Sequence, residues 1–472
     1  MQTSGHFSIL SRRGFLAGCS GAAACLACPA VCRATAATPQ SLVPNERMKL
    51  RLVYTHPDPK LEGWPYQGYD YESRKKELTE RLRRACPNVD FLPVWAQEEA
   101  DGKKVLEGDG EVDGYLVYLL GIPSSAARAI VFSGRPAILA DDLYGGTGQF
   151  LGLYGEALRK GMRVAGVSSS RLTDVADAVH VLEALRKFQK STILDVVNRD
   201  LGAAPALYRD TLGVGIQTIS AAELDDAYRS ADRAEAVQWA QAWAAGAARI
   251  VEPSRAEIQK SGAMYVGMSG LMLRHHAQGI AIDCLRLFYG GQMAAYPCLG
   301  FFQLNNDGLV GACEADLQSA STMLLLTYLV GRPGYISDPV IDTSKNQIIY
   351  AHCVAPNKVF GPGGAANPYH IRSHSEDRKG AAVRSLLPLG EMTTTLKLVP
   401  EEKTLVMHQA RTVANIDDDR ACRTKLAAEP KDARKLAADW RWGWHRVTVY
   451  GEYRVPVQTA GSLLGFRVVE EG

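Results

Sequence analysis

The sequence predicts an α/β protein with two doubly wound α/β domains followed by a C-terminal antiparallel β-barrel-like domain. Short apolar strands alternate with helices from residue 48 to about 195, and a similar α/β texture continues to about 345. Glycine–proline clusters and short β-rich runs then replace this alternation. Strand–helix alternation is typical of a parallel sheet, and closely spaced strands are typical of an antiparallel sandwich or barrel. The predicted domains are 48–195, 196–345 and 346–472.

The N-terminal domain is predicted to begin with a short apolar strand, Leu50–Tyr54. The proline-rich turn at 56–59 ends this strand, since proline cannot donate to a strand ladder. A charged helix is predicted near Tyr71–Cys86. The remaining predicted elements of this domain are strands at 112–118, 135–140 and 161–166 and a helix at 172–190.

The middle domain is predicted to contain helices at 221–247, 254–260 and 269–289. His275 and His276 interrupt the apolar stripe of the third helix, and we expect them to be solvated or capping residues. The C-terminal domain is predicted from four β-rich runs: Met392–Leu398, Lys403–Met407, Arg446–Val449 and Leu464–Val469.

The first 36 residues resemble an export signal. Arg12 and Arg13 are followed by an apolar, alanine-rich stretch from Phe15 to about Val31, and Ala34-Thr35-Ala36 offers a cleavage site. The alternative is a membrane-spanning helix, but the stretch is near the lower length limit of about 17 residues. We therefore expect a twin-arginine signal at 1–36, the Tat translocase as a partner during export, a periplasmic or extracytoplasmic location and no stable membrane anchor.

Charge and cysteine usage exclude several classes of protein. The chain has 53 Lys+Arg against 51 Asp+Glu, and three of those arginines lie in residues 1–36. The remaining chain is thus nearly neutral, which argues against a nucleic-acid partner or an anionic membrane surface. Six of the ten cysteines lie beyond the signal and show no C-x-x-C spacing, so a zinc knuckle is not predicted. Because export leads to an oxidising compartment, one disulfide among these cysteines is possible.

Two carboxylates and a histidine lie at the edges of apolar elements. Glu314 and Asp316 open a predicted helix, and Asp338 follows Glu314 by 24 positions. His445 directly follows the tryptophan-rich segment 440–444. Such a set suits a hard divalent cation with open coordination positions. Local alternatives exist, because acids favour helix starts and Asp338-Pro339 could form a turn.

These residues resemble the metal site of the L-fucose/L-arabinose isomerase superfamily. The resemblance implies Glu314, Asp338 and His445 as metal ligands, and the aspartate at a 24-residue interval resembles the fucose branch. His352, 14 residues after Asp338 at the end of an apolar strand, resembles a further metal-binding histidine of the arabinose branch. A packed, hydrogen-bonded histidine is the alternative for His352.

Three more residues are candidates for substrate binding. His374 lies in a His-x-Glu segment, followed by Pro388-Leu389-Gly390, that resembles fucose-isomerase-like proteins. Trp64 and Trp444 could stack on a sugar face, although large aromatic residues also serve in cores.

The resemblance implies an aldose–ketose sugar isomerase that works through an ene-diol. Glu314 and Asp338 would be the acid/base residues, and the cation would be Mn²⁺, or Mg²⁺ or Co²⁺. It also implies a homo-oligomer, a trimer or hexamer, acting on a small-molecule sugar. Two alternatives stay open: a metal-dependent lyase, epimerase or hydrolase at the same site, and an exported non-catalytic sugar-binding protein.

Overall fold

The computed structural model describes residues 39–472. The predicted signal at 1–36 lies outside these residues. The first segment of the described chain alternates strands with helices as predicted. Its elements are β1 (Met48–Thr55), α1 (Tyr71–Ala85), β2 (Val89–Trp95), α2 (Glu99–Gly108), β3 (Gly114–Leu119), α3 (Ala126–Val131), β4 (Ala137–Asp141), α4 (Thr147–Arg159), β5 (Val164–Ser168) and α5 (Leu172–Gln189).

These five strands form one parallel sheet in the order β2-β1-β3-β4-β5. Residues on both faces of its central strands are fully buried, among them Leu52 and Val53 of β1 and Leu116 and Val117 of β3. Burial on both faces explains why these strands are continuous apolar runs rather than alternating ones. Asp70 caps α1 by accepting a hydrogen bond from the Ser73 N–H at 3.0 Å.

The second segment again alternates strands and helices, with more helix. Its elements are β6 (Thr192–Val196), α6 (Ala204–Leu212), β7 (Gly215–Ile219), α7 (Ala221–Arg229), α8 (Arg233–Gly246), β8 (Arg249–Ile250), α9 (Arg255–Arg274), β9 (Gly279–Ile282), α10 (Cys284–Tyr289), α11 (Cys298–Asn306), β10 (Val310–Cys313) and α12 (Leu317–Val330). Four of the strands form a second parallel sheet in the order β10-β9-β6-β7.

The third segment is mainly antiparallel β-structure. Its elements are β11 (Tyr335–Asp342), β12 (Gln347–His352), β13 (Tyr369–Arg372), β14 (Ala382–Ser385), β15 (Met392–Val399), β16 (Thr404–Asn415), β17 (Thr424–Pro430), α13 (Ala433–Asp439), β18 (Arg446–Tyr450), α14 (Arg454–Leu464) and β19 (Arg467–Glu470). Six strands close into a barrel in the order β15-β18-β11-β12-β17-β16, because β16 also pairs with β15. The predicted fold class is confirmed.

Two features join the barrel to the middle sheet. Helix α12 is apolar on almost every side and contacts both β10 of the sheet and β15 and β18 of the barrel, as a helix buried on all faces should. Strand β13 pairs with β14 and, in parallel, with β8, so the third segment extends a small sheet that starts in the second. Strand β11, which carries Asp338, belongs to the barrel, whereas the sequence placed this residue in the middle domain.

Several predicted element boundaries differ from the structure. The expected helix at 269–289 is the end of α9, strand β9 and α10, because His276 adopts a left-handed backbone (φ 51°) that ends the helical path. The expected helix at 221–247 is interrupted before Asp232, which caps α8 by accepting from the Glu235 N–H. The predicted strand at 464–469 starts too early, because its first residue, Leu464, is the last residue of α14. Within the described residues, no helix is long and apolar enough to cross a membrane.

Candidate metal centre

Glu314 lies at the carboxyl end of β10, between the middle sheet and α12. Glu314 and Ala315 both have left-handed backbones, with φ of 62° and 49°. This conformation is strained for residues other than glycine and costs about 1–3 kcal/mol, so the surrounding structure must enforce it. The helix itself starts after Asp316, which accepts from the Ser319 N–H at 3.0 Å and from its hydroxyl at 2.7 Å. The turn directs the Glu314 side chain away from the helix that the sequence predicted it to open.

Asp338 and His352 lie on the neighbouring barrel strands β11 and β12. The register pairs Asp338 with Ala351, so His352 is the next residue along the adjacent strand. Both side chains are almost fully buried. The carboxylate and the imidazole approach each other at the strand ends, where His352 Nε2 lies 4.0 Å from Asp338 Oδ2.

His445 immediately precedes β18, the other neighbour of β11. Ser337 pairs with Arg446, which brings His445 next to Asp338. The His445 Nδ1–H donates to Asp316 Oδ2 at 2.8 Å. Its Nε2 faces the two other carboxylates and would bind a cation once the ring has released the proton on that nitrogen. A carboxylate that holds the far nitrogen of an imidazole is the usual support of a metal-binding histidine.

The four side chains converge on one point. His445 Nε2 is 3.1 Å from Asp338 Oδ1 and 3.4 Å from Glu314 Oε2. His352 Nε2 is 4.0 Å from Glu314 Oε1 and 4.0 Å from Asp338 Oδ2. Glu314, Asp338 and His352 each offer one ligand atom, and these three atoms all lie within 4.8 Å of one another. Ligands held about 2.1 Å from one cation lie about 3 to 4 Å apart, so these spacings fit a bound ion.

Buried ligand atoms that lack a hydrogen-bond partner test whether the site fits a cation. Asp338 Oδ1, His352 Nε2 and His445 Nε2 are buried and have no hydrogen-bond partner of suitable geometry. A buried polar atom without a partner costs about 1–3 kcal/mol, and three at one point call for a common partner. A cation would satisfy acceptor atoms, which suits Asp338 Oδ1 and His445 Nε2. The donor set of two carboxylates and imidazole nitrogen therefore fits a divalent cation such as Mn²⁺.

In their neutral forms, His352 and His445 carry the ring proton on different nitrogen atoms. The Cys353 N–H donates to His352 Nδ1 at 3.0 Å. In a neutral ring the proton then lies on Nε2, the nitrogen that faces Glu314 and Asp338. His352 is thus in position to donate a hydrogen bond into the site, whereas His445 offers a lone pair only after its Nε2 has released a proton to a bound cation.

The two central carboxylates have pKa values displaced in opposite directions. Burial raises the pKa of Glu314, and the nearby His352 and His445 only partly offset this. Burial also acts to raise the pKa of Asp338, but His352 and His445 lower it below its ordinary value. Burial acts to lower the pKa of His445, yet the hydrogen bond to Asp316 and the Asp338 carboxylate 3.1 Å from Nε2 raise it to about 10. Neighbouring carboxyl groups whose pKa values are shifted in opposite directions are suited to acid/base work.

The predicted substrate-binding residues fall in three places. Trp444 stacks on His445 with ring centroids 5.5 Å apart, donates its indole N–H to Pro339 O and is 59% exposed, so it borders the centre. His374 is buried and stacks on Tyr296 at 4.4 Å, on the far side of Cys353. Trp64 lies in the first segment, where it bridges to Ile122 and is 56% exposed. A role in substrate binding stays a prediction for all three.

Sequence reasoning missed the residues that support the centre. Asp316 was considered only as a helix-start acid, although its position two residues after Glu314 was a usable signal. Arg446, the residue after His445, is fully buried and bonds both oxygens of Glu471, at 2.8 and 2.9 Å. Cys422 Sγ lies 3.5 Å from Asp338 Oδ2, a contact between residues 84 positions apart that no local pattern reveals.

The chain is similar to proteins named sulfoquinovose isomerase. The relative from Priestia aryabhattai is 30% identical over 130 residues, covering 26% of this chain and 28% of the relative. The relative from Alkalicoccus urumqiensis is 25% identical over 150 residues, 31% of this chain and 33% of the relative. The relative from Clostridium sp. (strain MSTE9) is 39% identical over 83 residues, 14% of this chain and 19% of the relative.

The matched stretch thus spans about a third or less of each of these curated relatives. No protein-family model matches the chain. The similarity connects part of the chain to sugar isomerases.

Proposed function

We propose that the protein is a metal-dependent aldose–ketose isomerase. The observation that carries the proposal is the convergence of Glu314, Asp338 and His445 on one point where buried ligand atoms have no partner. The names of the partial relatives support the reaction class. They also favour a sugar with an anionic sulfonate group, such as sulfoquinovose, as substrate.

Glu314, Asp338 and His445 would hold the cation, with Mn²⁺ favoured and Mg²⁺ or Co²⁺ possible alternatives. When bound, the cation supplies a positive charge that stabilises the oxygens of an open-chain sugar as negative charge develops on them. His352, whose Nε2 carries a proton, would donate a hydrogen bond to a substrate oxygen. Trp444 would cover one face of the sugar at the mouth of the site.

The proton transfers follow from the opposed pKa values of the two carboxylates. Asp338, which remains ionised, accepts the proton from the substrate carbon next to the carbonyl group. Glu314, whose raised pKa lets it hold a proton, delivers one to the neighbouring carbon. A proton also moves from the hydroxyl oxygen of the substrate to its carbonyl oxygen, and exchange with water then restores both carboxyl groups.

The test is NMR of a sugar panel that includes sulfoquinovose, incubated in D₂O with the Mn²⁺-loaded protein. We expect a ketose product with deuterium at the first carbon, or deuterium at the second carbon of recovered aldose. Glu314→Gln and Asp338→Asn should each reduce turnover at least about 10³-fold, because each removes a proton-transfer group. A protein that binds sugar without metal and exchanges no deuterium would instead be a non-catalytic binding protein.

We further propose twin-arginine export, which the signal-like features of residues 1–36 support, and a trimeric or hexameric assembly, which only the family resemblance supports. Arg12→Lys together with Arg13→Lys should retain the chain in the cytoplasm, as measured by cell fractionation. Light scattering of the mature chain measures the assembly, and a monomer would remove the oligomer proposal.

A further inference from the structure

A cysteine accompanies each of three residues of the centre. Cys313 directly precedes Glu314, Cys353 directly follows His352, and Cys422 Sγ lies 3.5 Å from Asp338 Oδ2. All six cysteines in the described part of the chain are free thiols. Buried thiols commonly serve only as small apolar groups, so the contacts between them decide whether they do more.

Cys353 and Cys422 are close neighbours at the ends of two adjacent strands. His352 and Thr424 are the last pair of the β12–β17 ladder, and the two cysteines lie just beyond it on the two strands. The Cys353 sulfur accepts from the Arg423 N–H at 3.4 Å, and Cys422 is the residue directly before Arg423 in the chain. Residues this close across adjacent strands lie within the range of Cα separations that a disulfide can bridge.

Cys422 is the cysteine of this pair that a reagent in solution reaches first, because it is the more exposed. It is the one free cysteine of the described chain that is not buried, while Cys353 behind it is only 2% exposed. A reagent that reaches Cys422 thus meets a second thiol close to the first. Cys284 and Cys313 are also close to each other, but both are buried.

We propose that Cys353 and Cys422 are a thiol modification site that forms a reversible disulfide and thereby weakens cation binding at Asp338. The coupling to the cation rests on the proposed metal centre, whereas the disulfide itself does not. Oxidation removes the Cys422 S–H, the group that contacts Asp338 Oδ2, and pulls its sulfur towards Cys353. Loss of such an outer contact of a metal ligand lowers affinity about 10- to 100-fold.

The reaction needs an oxidant, which is a small-molecule disulfide. The Cys422 thiolate attacks one sulfur of that disulfide, whose S–S bond breaks and releases one thiolate. The Cys353 thiolate then attacks the Cys422 sulfur of the mixed disulfide and releases the second thiolate. Two cysteine thiols are oxidised, the small disulfide is reduced to two thiols, and the two thiol protons pass to the leaving groups.

The experiment treats the full mature chain with oxidised glutathione and maps its peptides by mass spectrometry without reduction. We expect a linked pair of peptides containing Cys353 and Cys422, which dithiothreitol separates. Cys86, which is buried in the core and whose thiol faces the Ala176 carbonyl oxygen at 3.9 Å, should remain a thiol, and Cys86→Ser should oxidise like the parent. Differential alkylation of the parent protein gives the same answer if Cys422→Ser does not fold.

The second measurement is Mn²⁺ affinity of the oxidised and reduced protein by calorimetry. A linked pair with affinity reduced about 10- to 100-fold supports the proposal. Free thiols at both positions after oxidation, or linkage of either to another cysteine, would overturn it. A linked pair with unchanged affinity overturns the coupling, and a linked pair in a protein that binds no Mn²⁺ in either state contradicts the proposed function while leaving the disulfide standing.

Discussion

Asp316 determines which nitrogen of His445 is available to a cation. It accepts the Nδ1–H of His445 and at the same time caps α12. The two roles can be separated, because asparagine caps helices about as well as aspartate. The charge and its effect on the imidazole can be removed while the helix start is retained.

Asp316→Asn should lower Mn²⁺ affinity about 10- to 100-fold with little change in melting temperature. The matched control is Asp232→Asn, which replaces the cap of α8 far along the chain from the centre and should leave Mn²⁺ affinity unchanged. Calorimetric titration with Mn²⁺ measures the affinity. Equal affinities for Asp316→Asn and the parent would show that Asp316 serves only as a cap.

The two histidines of the centre should respond differently to substitution. Asp316 holds the Nδ1–H of His445 and leaves its Nε2 for a cation, whereas the Cys353 N–H occupies His352 Nδ1 and leaves the proton of the neutral ring on Nε2, so we expect His445→Gln to lose bound Mn²⁺ and His352→Gln to retain most of it. His352→Gln should instead reduce turnover. Metal content of the purified variants by plasma mass spectrometry checks this, and equal loss of metal in both variants would make His352 a ligand.

Cation binding should depend on pH through His445. Without a cation the pKa of His445 is raised to about 10, so the ring is protonated at neutral pH and must release a proton to bind an ion. Affinity for Mn²⁺ should therefore rise with pH between about 6.5 and 8.5, by about tenfold per unit for one proton released. Calorimetry in buffers of different ionisation enthalpy counts the protons, and a flat affinity over this range would contradict the assignment.

At the scale of the element, β18 is held in place by a buried ion pair. Arg446 is enclosed between Glu471 and the face of Trp440, 3.9 Å from the ring centroid, and Glu471 also bonds His408 at 3.0 Å. Burial acts to raise the pKa of Glu471, but Arg446 and His408 lower it to about 2. This network fixes the strand that begins directly after His445.

Glu471→Gln should reduce the free energy of unfolding by about 3–5 kcal/mol, because it leaves the buried Arg446 without a counter-charge. The neighbouring Glu470→Gln is the control: Glu470 pairs with Arg454 at the surface, and its loss should cost about 0–1 kcal/mol. Urea denaturation of the two variants compares them directly. Similar losses for both would mean that the buried network does not anchor β18.

Elements of high apolar content were predictable, and their junctions were not. Four of the five strands of the first sheet begin and end within one to three residues of the predicted runs, because burial on both faces leaves a continuous apolar signal. Strand β2 escaped prediction because Pro93 and exposed residues interrupt it. The left-handed turn at Glu314 also escaped, since its strain is imposed by packing rather than by a local residue preference.

At the scale of the whole molecule, the centre joins two parts of the fold. Glu314 comes from the edge of the middle sheet, whereas Asp338, His352 and His445 come from three adjacent barrel strands or their ends. The sequence brought these residues together only through family resemblance, because their separations of 14 to 131 positions carry no periodic signal. The contacts of Asp316 and Cys422 depend on the closed barrel and could not be predicted.

A cation at this junction should stabilise the whole chain, since it ties the sheet edge to the barrel. At 100 times its dissociation constant, Mn²⁺ should add about 2.7 kcal/mol to the free energy of unfolding, and chelation with EDTA should remove this gain. Glu314→Gln should abolish most of the gain, because it removes the ligand from the sheet side. Cys86→Ser, which changes a buried thiol of the first segment, should respond to Mn²⁺ like the parent. A parent protein whose melting temperature is unchanged by Mn²⁺ and by EDTA would show that no cation bridges these two parts of the fold.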